Sequence, residues 1–164
     1  MNTRLIIEQY KNKNNLVQKI QETKQVQVIG ESMMPTLDPT EVSALFVTNS
    51  SEYKVGDIVV FKYERSLVGV SVHRIIGKRG DVIITKGDNN LKSDGAINMS
   101  NIIGKIEKAL MKDSDIIALK SSKVIAVLSK LEDNMARRLS VSAALRVHRV
   151  LIKLYRISVR EKRR

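Results

Sequence analysis

The sequence predicts a mainly β protein of α+β character. An antiparallel sheet or barrel forms the core, with a short N-terminal helix before it and helices after it. Three observations predict this. Short β-branched runs recur every dozen or so residues between Gln25 and Lys112, separated by Gly, Asp, Asn and Ser. Hydrophobic residues make up 43% of the 164, enough for a packed core, whereas aromatics are 4% and Trp is absent, so Val, Ile and Leu must fill it. From about residue 113 the apolar period lengthens to three and four residues, the spacing of a helix face.

Residues 1–24 form the first segment. Leu5, Ile6, Gln9, Leu16 and Ile20 fall roughly on one side, with Lys and Asn elsewhere, and predict a helix over 3–22. Residues 25–112 form the β segment, through the runs "VQVI", "VSALFV", "DIVVFKY", "LVGVSVHRII", "DVIITK" and "IIGKIEKAL". Between them "VGD" at 55–57, "RGD" at 79–81 and "GDNN" at 87–90 supply Gly or Asn where a positive φ is easy. Residues 113–164 form a basic extension. Val124, Leu128, Leu131, Met135 and Leu139 predict one helix; Val147, Val150, Leu151, Leu154 and Ile157 predict a second, joined to it near Ser140–Ser142.

Cys is absent, which removes disulfides, thiolate metal sites and a cysteine nucleophile together. Nothing in the sequence calls for a cofactor or a metal. The segment "DNNLKSDGAINM" fails as a calcium loop, because its sixth position from Asp88 is Ser93 instead of Gly and its twelfth is Met99 instead of Glu. No run approaches 18 apolar residues and the N-terminus lacks a secretory apolar core, so the expected location is the cytoplasm. The formal charge is +12, and residues 113–164 hold 13 Lys and Arg against 5 Asp and Glu. Such a tail suits an anionic lipid surface, nucleic acid or a solvated face. A nucleic-acid module rests on charge alone, with no aromatic platform or zinc finger, and no specific nucleic-acid partner is expected. Over 143–160, Arg146, Arg149, Lys153, Arg156 and Arg160 form a basic stripe beside the apolar one, the pattern of a helix in a lipid interface.

Three places could carry chemistry. In "VIGESMMPTL", Pro35 forces Met34 out of helical conformation and Gly30 permits a tight path, so Ser32 sits on a constrained loop among apolar side chains. It is a displayed hydroxyl or a polar residue in a turn. In "SLVGVSVHRII", alternation places Val68, Val70 and Val72 toward the core and Gly69, Ser71 and His73 on a face of small residues, open to another backbone. In "TKGDNNLKSDG", Asp88 and Asp94 are turn residues or carboxylates that orient an imidazole. A hydroxyl, an imidazole and a carboxylate supply an activated nucleophile, its base and an orienter, should the fold bring them together.

With "GESMMPTL", "VGDIVVF", "VHRIIG" and "TKGDNN" in this order, followed by Asp94, the chain resembles the type I signal peptidases over roughly residues 26–112. These serine peptidases remove leader peptides from exported proteins. The resemblance implies the signal-peptidase-like fold, with Ser32 as nucleophile, His73 as general base, and Asp88 or Asp94 as the orienting carboxylate. His73 stands where typical bacterial members carry a lysine, so the chain is most similar to the archaeal and endoplasmic-reticulum branch. The implied substrate is a peptide or protein with a leader, cut after a small residue. Gly30 replaces a serine that helps form the oxyanion hole in many members, so backbone N–H groups, including that of Ser32, are expected to form it. The family also implies a membrane anchor, which the sequence lacks; a membrane-anchored partner or the 143–160 surface helix is expected in its place. A self-cleaving repressor is the alternative, disfavoured by His73 and by the roughly 25 residues before the β segment.

Overall fold

The computed structural model describes the backbone of residues 13–138 and 141–162, and side chains over 16–138 and 142–153. Helix α1 spans Lys13–Thr23 and buries Leu16 and Ile20, as its period predicts. Leu5, Ile6 and Gln9, which the same expectation included, lie outside the described residues.

Eight antiparallel strands follow: β1 (Gln25–Val26), β2 (Val42–Thr48), β3 (Ile58–Lys62), β4 (Val70–Arg79), β5 (Val82–Lys86), β6 (Gly95–Asn98), β7 (Ile102–Met111) and β8 (Ile116–Ala118). Their order is β1-β2-β7-β3-β4-β5-β6, with β8 added to β7. Six of these match the β-branched runs. The short β6 and β8 have no such run, because pairing with β5 and β7, rather than composition, makes them strands.

Apolar side chains cover both faces of the sheet. Along β3, Ile58 and Val60 enter a large core with Leu45, Val47, Val70 and Ile106, while Val59 and Phe61 enter a smaller one with Ile75, Ile83 and Ile97. Two-sided burial explains why β3 reads as an unbroken apolar run. It also corrects one expectation. Val68, Val70 and Val72 do pack on the large core, but on the opposite face of β4 His73 is buried, and only Ser71 stays half-buried at a cleft. Ser71 and His73 stand across from Phe61 and Val59, beside the second core.

Helices α2 (Lys123–Arg138) and α3 (Val141–Lys162) complete the described chain. The junction falls where the sequence places it; Leu139 and the side chains of Leu154, Arg156, Ile157 and Arg160 lie outside the described residues. The apolar stripe of α2 does not face the sheet. Val124 is 70% and Leu131 53% exposed, whereas Ile125, Ala126, Ser129, Glu132 and Asp133 are buried. The reason lies in what the sheet offers this helix. Lys86 is buried there and requires a carboxylate, which an apolar face could not supply.

Candidate active site

The loop between β1 and β2 carries Ser32 in a series of turns, entered through Gly30 at φ +87° and closed by a cis Met34–Pro35 bond. Met33 and Leu37 anchor it in the large core, which leaves Ser32 half-buried at the edge of a cleft. Gly87 was expected to supply a positive φ but does not. It provides closeness: a Cβ there would stand 2.6 Å from the Ser32 carbonyl oxygen. That oxygen accepts the Asn89 N–H at 2.7 Å, so the serine loop and the 87–94 loop are tied backbone to backbone.

Three of the sequence candidates form one hydrogen-bonded line. His73 Nε2 is 3.1 Å from Ser32 Oγ, and His73 Nδ1 is 2.7 Å from Asp94 Oδ2. An ionised carboxylate can only accept, so Nδ1 carries the proton and Nε2 offers its lone pair to the serine hydroxyl. The side chains of His73 and Asp94 are each 7% exposed, and the Phe61 ring lies 6.1 Å from the imidazole, centroid to centroid. Thr85 Oγ1 donates to the same Asp94 oxygen at 2.7 Å, and the Asp94 N–H donates to the Thr85 carbonyl at 2.9 Å. A hydroxyl hydrogen-bonded to an imidazole that a carboxylate holds can be activated as a nucleophile.

Asp88, the other carboxylate candidate, is engaged elsewhere. It takes a two-pronged pair from Arg74, Nε to Oδ1 at 2.8 Å and NH2 to Oδ2 at 2.7 Å, and accepts the Thr36 hydroxyl as well. Arg74 also donates to the Gly56 carbonyl at 2.9 Å, and both charged groups are fully buried. Arg74 adjoins His73 in β4, Thr36 is four residues past Ser32, and Gly56 belongs to "VGDIVVF". One ion pair therefore joins the four sequence blocks. Lys86, the lysine of "TKGDNN", bonds Glu132 Oε2 at 2.6 Å.

Sequence reading missed Thr85, Glu132 and Asp133. Thr85 sits directly before "KGDNN" and had no periodicity to mark it. Glu132 and Asp133 did leave a signal: they are the adjacent acidic pair of the basic extension, on the side of α2 away from its apolar stripe.

The cleft beside Ser32 measures about 690 Å³ and is walled by Leu16, Ile20, Val28, Val68 and Val70. Val70–His73 pair with β3 on one edge, while β5 joins β4 only from Arg74 onward. The cleft is thus bordered by strand backbone with hydrogen-bonding capacity to spare, opposite the non-strand segment Gln27–Ile29.

No curated protein and no solved structure matches the chain. The family model described as signal peptidase, peptidase S26, matches residues 16–127, roughly two thirds of the chain, a span that holds Ser32, His73, Asp88 and Asp94 but not Glu132 or Asp133. The chain belongs to the signal peptidase family.

Proposed function

We propose that this peptidase is a serine endopeptidase that cuts an extended leader peptide after a small residue. Ser32 is its nucleophile, His73 its general base and Asp94 its orienting carboxylate. The observation that carries the reading is the unbroken Ser32–His73–Asp94 line. Imidazole as the base also supports assignment to the archaeal and endoplasmic-reticulum branch.

The substrate strand lies along the free edge of Val70–His73, where its backbone adds to the sheet and alternate side chains enter the cleft. His73 Nε2 takes the Ser32 proton as the oxygen attacks the scissile carbonyl. The resulting imidazolium is held by Asp94 and returns its proton to the leaving amine. Water, activated by the same imidazole, then releases the acyl group. The Ser32 N–H has no acceptor among the described residues and is available to the oxyanion. Asp88 acts at one remove, by pinning Arg74 and Thr36 on either side of the reacting pair.

The test is a library of unstructured peptides read by mass spectrometry. Cleavage should cluster after small residues. On a selected peptide, kcat/KM should fall at low pH as the single base becomes protonated. Cleavage with no preference for small residues would refute the substrate reading.

We further infer that α3 rests on anionic lipid. No helix among the described residues is long and apolar enough to cross a membrane. Val150, 57% exposed, lies between exposed Arg146, Arg149 and Lys153. Each basic residue near such a surface contributes ~1 kcal/mol. Arg146→Glu combined with Arg149→Glu should release the protein from anionic vesicles in co-sedimentation, and unaltered pelleting would refute the surface role.

A further inference from the structure

Asp94 ends a loop that α2 grips from outside the sheet. The Ser93 N–H, next to Asp94, donates to Asp133 Oδ1 at 2.8 Å, and Ser93 Oγ donates to Asp133 Oδ2 at 3.2 Å. Arg137 Nε donates to the same Asp133 oxygen at 3.1 Å, and its NH2 reaches Ser93 Oγ at 2.9 Å. At the other end of the loop, Lys86 Nζ donates to Glu132, and His148 of α3 bonds the second Glu132 oxygen. Both carboxylates of α2 are therefore turned inward, onto the two ends of segment 86–93, while the apolar stripe of that helix is left outside. A helix selected for packing alone would adopt the opposite rotation.

We propose that Asp133 is a positioning residue for peptide hydrolysis. It fixes Ser93 so that the Asp94 carboxylate stays within bonding distance of His73 Nδ1. This rests on the role given above to Asp94. Thr85 fixes Asp94 to β5 from within the sheet; Asp133 and Arg137 close the outer side. A misplacement of about 1 Å is enough to cost on the order of 100-fold in rate.

Two readouts on the full-length protein test this. One is the downfield proton resonance of the His73 Nδ1–H, which reports its bond to a carboxylate and needs no substrate. The other is kcat and KM on a library-selected peptide. In Asp133→Ala the resonance should shift upfield or broaden, and kcat should fall about 10–100-fold with KM within about 2-fold. Asp133→Asn retains an oxygen that accepts the Ser93 N–H, so it should keep the resonance and most of kcat. Arg137→Ala alters a side chain that is 56% exposed and leaves the carboxylate in place, so it should give a smaller change in the same direction even if Asp133→Ala does not fold. An unchanged resonance and kcat in Arg137→Ala and in any folded Asp133→Ala would overturn the proposal. So would a loss that Asp133→Asn fails to rescue. If the parent protein cleaves no library peptide, it is the hydrolytic reading that fails; the resonance still decides whether Asp133 holds the His73–Asp94 bond.

Discussion

Ser32→Ala and His73→Ala are each expected to lower kcat by on the order of 10⁶-fold, with little change in KM or thermal stability. The nucleophile and its base act as a unit, so either change should cost nearly as much as both together. The double variant should accordingly show no further loss. Stability should hold because Ser32 is half-buried at a cleft edge and His73 lies at the rim of the smaller core, where Ala leaves the strand pairing with Val59 intact. Measured kcat and KM on one selected peptide, with a melting curve for each variant, check the expectation. Near-wild-type turnover in either single variant would falsify the assignment of the reacting pair.

The two aspartates should give opposite phenotypes. Asp94→Asn keeps shape and removes charge, so the imidazole loses the partner that fixes its tautomer and stabilises its protonated form. The expected loss is on the order of 10⁴ in kcat with the fold retained. Asp88→Ala strips a fully buried guanidinium of its only charged partner among the described residues. Breaking a buried pair from one side costs about 3–5 kcal/mol, a large share of the stability of a domain this size. Denaturant unfolding should show that cost, and whatever protein remains folded should retain a measurable kcat. If the phenotypes were exchanged, with Asp94→Asn unfolding the chain and Asp88→Ala silencing it cleanly, the roles drawn from the geometry would be reversed.

Neither aspartate could be chosen over the other from the sequence. Both lie in one polar loop, six residues apart, and each suits a turn or an imidazole. What separates them is the register of β4 and β5. That register sets Arg74 opposite Lys86, so Asp88, just past the strand end, meets the guanidinium, while the chain turns back through Gly95 and brings Asp94 beside Thr85 and His73.

By itself the sequence determined six of the eight antiparallel strands, the helices on either side, and the residue types of the proposed serine site in their order. These follow from local rules. Alternation and β-branching mark a strand, a three-four period marks a helix, and a proline beside a serine marks a constrained loop. Only the tertiary structure decided which face of each element is covered. The second core behind His73 arises because the sheet is buried on both sides, and no single strand records that. The inward turn of Glu132 and Asp133 is decided by Lys86 and Ser93, about 40 residues earlier, whose polar groups have to be paired once water is excluded. Helical periodicity finds the apolar stripe of α2 but assigns it to the core by default. A buried cation on the facing sheet reverses that choice, because leaving an ammonium unpaired costs more than exposing a few aliphatic side chains.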